Sequence, residues 1–207
     1  VDFQQVNSIS KFDTYPMPRI DELIERLGKA VYMTTLDLTK GYRQIPLTPS
    51  AREKTAFSTS LGLYHFNVLP FGLHRAPATF QRLMDRILRI HQLYAAAYLD
   101  DIVLFSPDWK SHLDHLENVL LSLTEAGFTV NPKKCRFATE EIRYLGYHIR
   151  RGKIYPQVDK VKAIQDLPVP RSKKDVQSFL GLLGYYRHFI PQFSEIASPL
   201  TDLLTKQ

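Results

Sequence analysis

Two adjacent aspartates, Asp100 and Asp101, lie between two apolar runs of the chain. The runs, Ala95-Ala96-Ala97-Tyr98-Leu99 and Ile102-Val103-Leu104-Phe105, have the composition of short buried strands. Because neighbouring side chains on a strand point to opposite faces, the pair acts as one unit only at a turn. The sequence therefore predicts a β-hairpin with both aspartates at its tip. Like charges this close need a cation, and carboxylate oxygens with no Cys or His nearby favour Mg²⁺ or Mn²⁺.

A third carboxylate, Asp37, is the only charge in the β-rich segment Tyr32-Met33-Thr34-Thr35-Leu36-Asp37-Leu38. Asp37 and Asp100 could meet on neighbouring strands of one sheet. Three carboxylates can hold two divalent ions, and such a pair of ions clamps the attacking and leaving oxygens of a phosphoryl transfer. The alternative is a solvated Asp-Asp turn with Asp37 at a strand end, since aspartates are common at turns.

The flanking patterns predict the elements that must position these carboxylates. Apolar spacing and stop signals predict helices that begin at Pro18, at Pro77 and after Asp108, and a hairpin that turns at Gly62. Further strands are predicted over 128–130 and 142–149. The order strand, helix, hairpin, helix, strand indicates an α+β fold, in which an antiparallel sheet carries its helices on one face. On the third helix, four leucine side chains are expected to point inward: Leu113, Leu116, Leu120 and Leu123. His112 and His115 on the same helix are expected to be solvated.

Composition describes a globular chain with an uneven charge. The 207 residues are 44% hydrophobic and carry a net charge of +6. Residues 150–207 hold ten basic and five acidic residues, which fits a nucleic-acid clamp joined to a carboxylate-bearing body, although a basic soluble surface would look the same. The single cysteine, Cys135, excludes an internal disulfide. No apolar run approaches the ~20 residues that span a bilayer.

An ordered series of motifs extends over essentially the whole chain. In order they are Val1-Asp2-Phe3, Tyr15-Pro16-Met17-Pro18-Arg19-Ile20-Asp21, Leu36-Asp37-Leu38-Thr39-Lys40-Gly41-Tyr42, Lys54-Thr55-Ala56-Phe57, Leu69-Pro70-Phe71-Gly72-Leu73, Ala76-Pro77-Ala78-Thr79-Phe80-Gln81, Tyr98-Leu99-Asp100-Asp101, Asn131-Pro132-Lys133-Lys134-Cys135, Tyr144-Leu145-Gly146-Tyr147 and Ser178-Phe179-Leu180-Gly181. This series closely resembles the reverse transcriptase domain of LTR-retrotransposon Pol polyproteins of the gypsy (metavirus) type.

The resemblance implies a right-hand polymerase palm with partial fingers and a helical thumb. The implied divisions are partial fingers over 1–12, palm over 13–44, a fingers hairpin over 45–75, palm with the catalytic hairpin and primer grip over 76–155, and the start of the thumb and connection over 156–207. The implied activity is RNA-directed DNA polymerisation, in which a DNA primer is extended on an RNA or DNA template.

By the same resemblance, Asp37, Asp100 and Asp101 form the catalytic carboxylate set. Asp37 and Asp100 would bridge two divalent ions, Mg²⁺ with Mn²⁺ possible, and Asp101 would contribute more weakly. The backbone carbonyl of Leu38 is a further expected ligand. The family also places a lysine that protonates the leaving pyrophosphate near Pro132, and either Lys133 or Lys134 could fill that role, with plain surface charge as the alternative.

Three residues are expected at the incoming nucleotide. Tyr42 matches the aromatic steric gate that excludes a 2′-hydroxyl, and a packed core tyrosine is the alternative. Phe71 and Gly72 match the segment beside the nucleotide, where many retroviral relatives carry Gln instead of Phe.

A larger set is expected to bind the template and primer. Gln81 is expected on the exposed side of its helix, near the template. The thumb helix that starts near Ser172 has Gln177, Gly181 and Tyr185 at i, i+4 and i+8, a spacing that resembles a minor-groove track, with helix packing at Gly181 as the alternative. The other members of the set are the hairpin residues Tyr98 and Leu99 and the primer-grip residues Leu145, Gly146 and Tyr147.

The resemblance also implies partners and a setting. The expected partners are deoxynucleoside triphosphates, a primed template and the rest of a Pol polyprotein with RNase H and integrase; a membrane is not expected. The expected location is intracellular, in a cytoplasmic virus-like particle or the nucleus. Because the basic fingers residues that precede Val1-Asp2-Phe3 in the family are absent here, a catalytically silent nucleic-acid-binding remnant is the alternative function.

Overall fold

A computed structural model describes residues 1–150 and 153–205. The described chain divides into two compact units. The first comprises Val1–Ile142 with Arg150, and the second comprises Arg143–Ile149 with residues 153–205. Each unit is described by itself below.

A four-stranded antiparallel sheet forms the centre of the first unit. Its strands are β1 (Tyr32–Asp37), β4 (Ala95–Tyr98), β5 (Asp101–Ser106) and β6 (Arg136–Thr139), in the order β4-β5-β1-β6. The first strand therefore lies between β5 and β6, which come much later in the chain. A separate hairpin of β2 (Phe57–Thr59) and β3 (Gly62–Tyr64) turns at Gly62, as predicted, with shorter strands than the apolar runs suggested.

Two helices, α4 (Ala76–Ile87) and α5 (Trp109–Glu125), pack on one face of this sheet. Proline in the first turn starts α4, and the Asp108 side chain caps α5 by accepting from the Ser111 amide at 2.9 Å. The core between helices and sheet consists of alternate strand residues and the inward helix residues: Leu36, Ile102, Leu104, Phe80, Met84, Val119 and Leu123. The predicted α+β layering, with helices on one face of an antiparallel sheet, is confirmed.

Shorter elements complete the first unit. They are α1 (Gln4–Ile9), α2 (Ile20–Leu27), α3 (Pro49–Glu53) and 3₁₀ turns at Gly41–Gln44 and Leu88–His91. The prediction of a strand over 128–130 is wrong, because the structure has an isolated bridge between Leu38 and Val130 there instead of a continuous strand. Leu113 was expected to point inward, but it is 46% exposed, since the buried side of α5 runs through His112 instead.

The interpretation of His112 and His115 as solvated residues is wrong. His112 is fully buried, with Nε2 2.8 Å from Thr34 Oγ1 and Nδ1 3.0 Å from Ser106 Oγ. His115 Nδ1 lies 2.8 Å from the same Ser106 hydroxyl, and its ring stacks on Tyr94 at 3.6 Å. Burial, and the neighbouring His115, lower the pKa of His112. These histidines therefore join α5 to the sheet through hydrogen bonds to Thr34 and Ser106.

The second unit contains a small sheet and the C-terminal helices. Strands β7 (Glu141–Tyr144), β8 (Tyr147–Arg150) and β9 (Lys153–Pro156) pair in that order, and β7 begins in the first unit. Helices α6 (Val158–Gln165), α7 (Lys173–Tyr185) and α8 (Phe193–Thr205) follow, with a 3₁₀ turn at Arg187–Phe189. Ser172 caps α7 in a capping box with Asp175, which explains why that helix begins where the sequence predicts.

Within the described residues, no helix combines the length and apolar character needed to cross a membrane.

Candidate active site

The three predicted catalytic aspartates lie at one end of the central sheet. Asp101 is the first residue of β5 and is the antiparallel partner of both Tyr98 on β4 and Asp37 on β1. Asp100 lies in the turn between β4 and β5, so only one of the two adjacent aspartates is at the hairpin tip. The prediction that both occupy the tip is therefore wrong, because the turn consists of Leu99 and Asp100. Sheet pairing nevertheless brings Asp37 across from the aspartate pair.

The electrostatics of the site show that these carboxylates interact. Desolvation by the surrounding protein raises the pKa of Asp101, and the negative charges of Asp100 and Asp37 raise it further, whereas Lys134 lowers it. Lys134 Nζ lies 3.4 Å from Asp37 Oδ2 in a pair that solvent reaches. Negative charge is thus concentrated at the sheet end, and one side-chain cation partly balances it.

The three carboxylates fit a hard divalent cation, which prefers oxygen ligands. The Cys135 thiol lies beside them but bonds to the Asp37 backbone, whose amide donates to Cys135 Sγ at 3.4 Å. Among the residues that the structure describes, however, no three His, Cys, Asp or Glu side chains are already arranged as a metal-binding cluster. Asp37 Oδ2 already contacts Lys134, so a cation held by Asp37 would share or replace that contact.

The backbone beside Asp37 is held by the segment after residue 128. The Asn131 amide donates to the Asp37 carbonyl at 2.8 Å, and the Thr39 amide donates to the Thr129 carbonyl at 3.0 Å. The Leu38 carbonyl takes no part in these two bonds, although the Leu38 side chain is buried in the core. Its availability as a ligand stays a prediction.

The structure distinguishes the two candidate lysines. The Lys134 side chain contacts Asp37, whereas Lys133 uses its backbone amide, which donates to the Asn131 side chain at 3.3 Å. Both side chains are exposed. Only Lys134 is thus placed beside the carboxylate site.

Tyr42 packs beneath this site in an aromatic cluster. It is 8% exposed, with its ring centroid 4.9 Å from that of Phe80 and 5.1 Å from that of the exposed Phe71. Burial, and then the charge of Asp100, raise the pKa of Tyr42. Gly41 makes this approach possible, because a Cβ there would lie 3.2 Å from the Cβ of Asp100 and 3.2 Å from the Phe80 ring. The predicted gate therefore neighbours a predicted metal ligand.

The Phe71-Gly72 segment is fixed by a residue that the sequence did not single out. Asn7 on α1 donates to the Gly72 carbonyl at 2.8 Å and accepts from the His74 amide at 3.0 Å. Gly72 itself has φ +97°, a left-handed conformation that favours glycine. No short motif signals Asn7, since its partners lie more than sixty residues away.

The prediction that Gln81 lies on the exposed side of its helix is wrong. Gln81 is 0% exposed, so it does not present a surface to a template. Its Oε1 accepts from the Leu99 amide at 2.7 Å and its Nε2 donates to the Ala97 carbonyl at 2.9 Å. It therefore supports the backbone of the Leu99–Asp100 turn from inside the unit. Leu99 and Tyr98 lie, half-buried, in that hairpin.

In the second unit, the predicted primer-grip turn packs on the end of α7. Gly146 has φ +78°, and a Cβ there would lie 3.2 Å from the Tyr186 hydroxyl. The Tyr185 hydroxyl donates to the Leu145 carbonyl, and the Tyr147 hydroxyl donates to the Tyr185 carbonyl at 3.1 Å. The hydroxyl of Tyr185 is thus committed to the turn, and its ring stacks on that of Tyr147 with the centroids 5.4 Å apart.

The other two residues of the predicted thumb track, Gln177 and Gly181, are exposed on α7. A Cβ at Gly181 would meet no described atom within 4 Å. Helix packing within the described part of the chain therefore does not explain this mid-helix glycine.

The antiparallel sheet, its helices on one face and the carboxylates at its end define a polymerase palm. A family model described as "Reverse transcriptase (RNA-dependent DNA polymerase)" matches residues 1–149, and the chain belongs to this family. The predicted fold class and family are confirmed.

Similar proteins agree with this assignment. The Pol polyproteins of the Drosophila melanogaster transposons 297 and gypsy are 43% and 44% identical over 100% and 99% of this chain. A foamy viral protease-reverse transcriptase in complex with double-stranded DNA matches 99% of this chain and 36% of its own, with TM-score 0.89 and 30% identity. The same enzyme with an RNA/DNA hybrid matches with TM-score 0.82 and 30% identity, over 99% of this chain and 28% of its own. The chain spans about a fifth of the length of those polyproteins.

Proposed function

We propose that this chain is the polymerase segment of a retrotransposon Pol polyprotein and extends a DNA primer on an RNA or DNA template. The observation that carries the proposal is the register that pairs Asp37 with Asp101, beside the turn that holds Asp100. Solved relatives bound to double-stranded DNA and to an RNA/DNA hybrid support a primed duplex as the ligand. The silent-remnant alternative has no observation in its favour, since the site retains all three carboxylates.

Asp37 and Asp100 would hold divalent ions, with Asp101 contributing charge and the Leu38 carbonyl as a further ligand. When bound, Mg²⁺ or Mn²⁺ would activate the primer 3′-hydroxyl and neutralise the triphosphate. Lys134 would donate a proton to the leaving pyrophosphate, because it is the lysine beside Asp37.

Tyr42 would exclude ribonucleotides, with Phe71 and Gly72 beside the nucleotide. Its ring is held between Phe71 and Phe80, so it cannot easily move away from a 2′-hydroxyl. The primer would contact Tyr98, Leu99 and the Leu145-Gly146-Tyr147 turn, and the duplex would contact Gln177, Gly181 and the Tyr185 ring.

In the full protein we place partial fingers at 1–12, palm at 13–44 and 76–155, the fingers hairpin at 45–75 and the start of the thumb at 156–207. Further partners would be deoxynucleoside triphosphates and downstream RNase H and integrase segments. The setting would be a cytoplasmic virus-like particle or the nucleus.

Primer extension tests the activity. Purified 1–207 is given an RNA template, a DNA primer and deoxynucleotides in Mg²⁺ and in Mn²⁺, beside Asp100→Asn and, as a matched control, the exposed surface variant Asp114→Asn. We expect extension by the wild type and by the control, and none by Asp100→Asn. The affinity of Asp100→Asn for the duplex should equal that of the wild type. Duplex binding without extension, both by 1–207 and by the same residues within a longer polyprotein, would favour the binding remnant.

A further inference from the structure

The turn that carries Asp100 has a backbone conformation that its own sequence disfavours. Leu99 has φ +56°, in the left-handed region that branched and bulky side chains rarely adopt. Neither Leu99 nor Asp100 is a glycine that would relieve the conformation. Something outside the turn must therefore hold it.

The Gln81 side chain supplies that support from α4. Its Oε1 accepts from the Leu99 amide at 2.7 Å, and its Nε2 donates to the Ala97 carbonyl at 2.9 Å and to Asp85 Oδ1 at 2.8 Å. An amide N–H can only donate, and a carbonyl and a carboxylate can only accept, so these partners fix which end of the Gln81 amide faces the turn.

A second pair of residues orients Gln81. Asp85, one helical turn later, accepts from Gln81 through Oδ1 and from the Tyr15 hydroxyl through Oδ2 at 2.7 Å. Tyr15 is held in turn by the Arg82 guanidinium, 4.7 Å above its ring. The hydrogen bond to Asp85 raises the pKa of the Tyr15 hydroxyl, and burial adds to the effect. A continuous series of hydrogen bonds thus joins Tyr15, in the segment before α2, to the Leu99–Asp100 turn through Asp85 and Gln81.

We propose that Gln81 is a positioning residue that holds Leu99 in the left-handed conformation and thereby aims Asp100, with Asp85 and Tyr15 fixing the Gln81 amide. This inference rests on the proposed function for its effect on catalysis, but not for its effect on the turn. Gln81 touches neither nucleic acid nor nucleotide, since it is fully buried. It acts only through the Leu99 and Ala97 backbone.

The first test measures the turn itself, without substrate. Hydrogen exchange of the Leu99 amide is followed by NMR in wild type and in Gln81→Met, which keeps the side-chain length but removes the acceptor. The Val103 amide, in the fully buried middle of β5, reports global opening. We expect Leu99 exchange to accelerate at least about tenfold relative to Val103. An unchanged ratio would overturn the proposal.

Met84→Ala is the matched control, because Met84 is also fully buried on α4 and contributes to the core without bonding to the turn. It should lower the melting temperature without raising the ratio of Leu99 exchange to Val103 exchange. Should Gln81→Met fail to fold, Asp85→Ala removes the acceptor for Gln81 Nε2 at a half-buried position. It should accelerate Leu99 exchange by a smaller factor, and no acceleration would count against the proposal.

A double substitution that exchanges the amide of Gln81 with the carboxylate of Asp85 distinguishes the positioning role of Gln81 from its contribution to global stability. Gln81→Glu keeps an acceptor for the Leu99 amide but sets a carboxylate against both Asp85 and the Ala97 carbonyl, so it should loosen the Leu99 turn. Adding Asp85→Asn lets the new amide donate to the Glu side chain but leaves the Ala97 carbonyl without a donor from residue 81, so the double variant should recover part of the lost Leu99 protection. A double variant no better than Gln81→Glu would contradict the proposed bonding.

Kinetics then connect the turn to catalysis. If wild type extends primers, Gln81→Met should lower kcat on the order of 10²-fold with little change in the KM for nucleotide or in duplex affinity, whereas Met84→Ala at the same temperature should not. Equal kcat values for the two variants would overturn the catalytic part of the inference. A wild type without extension would count against the proposed function alone, because the exchange measurements stand independently.

Discussion

Lys134 lies with its ammonium nitrogen 3.4 Å from Asp37 Oδ2, and it is the lysine of the adjacent pair that makes this contact. The two residues are 97 positions apart and meet because β1 pairs with β6, which follows Lys134, and because Leu38 forms a bridge with Val130. The pair is exposed, so its contribution to stability is small. Its importance is its position, beside the carboxylates that would hold the metal ions.

The first prediction concerns which lysine donates a proton to the leaving pyrophosphate. Lys134→Ala should lower kcat for nucleotide addition by about tenfold or more, since a positioned general acid contributes ~10²–10⁴-fold. Lys133→Ala, a matched change at the adjacent exposed residue, should leave kcat within about twofold, because a surface substitution away from the reacting groups usually has little effect. Single-turnover incorporation with pre-bound duplex measures both. Equal losses in the two variants would show that the lysines act only as general positive charge.

The second prediction concerns Asp101. Because its folded-state pKa is raised, its deprotonated form is disfavoured in the folded protein. The stability that this group contributes is complete below its unfolded pKa of 3.8 and is lost as the pH rises through the folded-state value. Asp101→Asn should therefore be more stable than wild type near pH 7, by less than about 1 kcal/mol since the carboxylate reaches solvent, and no more stable near pH 3.

Urea unfolding at the two pH values, without divalent ions, measures this difference. Asp202→Asn, at an exposed carboxylate on α8, is the control. A stability gain that is independent of pH would contradict the assignment of the effect to clustered negative charge.

The third prediction concerns sugar selection by Tyr42. Tyr42→Ala should raise incorporation of ribonucleotides relative to deoxynucleotides, because the ring that fills the space beside Asp100 is removed. The variant should also lose about 3–5 kcal/mol of stability, as expected for truncating a buried aromatic ring. Tyr42→Phe keeps the ring and should keep the selectivity. Competition between the two nucleotides measures the ratio, and an unchanged ratio in Tyr42→Ala would remove the gate assignment.

The fourth prediction concerns pH and the buried histidine His112. Its lowered folded-state pKa means that the unfolded chain binds the proton more readily. The stability from this group is complete above the unfolded pKa of 6.5 and is lost as the pH falls from there through the folded-state value. Burial also lowers the pKa of His115 and His91, which should steepen the same loss, although Asp114 and Asp108 oppose it at His115.

Urea unfolding between pH 5 and pH 7.5 measures this loss. His112→Asn should be less stable than wild type at pH 7.5, and its stability should fall less steeply on acidification. His65→Asn, at an exposed histidine, is the control. A pH dependence as steep in His112→Asn as in wild type would show that other groups carry it.

Local sequence determined the elements around the site and their chemistry. Proline at the start of α4 and the Ser172 capping box fix helix starts through neighbouring residues, so spacing alone was enough to predict them. The Asp100-Asp101 pair between apolar runs likewise predicted a hairpin and an oxygen-ligand site. The motif series also identified the family, which the comparisons confirm.

Tertiary structure decided which side chains these elements bury and which distant residues they meet. Gln81 and His112 are polar residues on amphipathic helices, and their burial depends on hydrogen bonds to Leu99 and Thr34, 18 and 78 residues away. The choice of Lys134 over Lys133, and the pairing of Asp101 with Asp37, depend on strand order and register. Spacing along the chain fixes periodicity, but a buried polar group is stable only where the fold supplies its partner, and that partner is set by contacts between segments far apart in sequence.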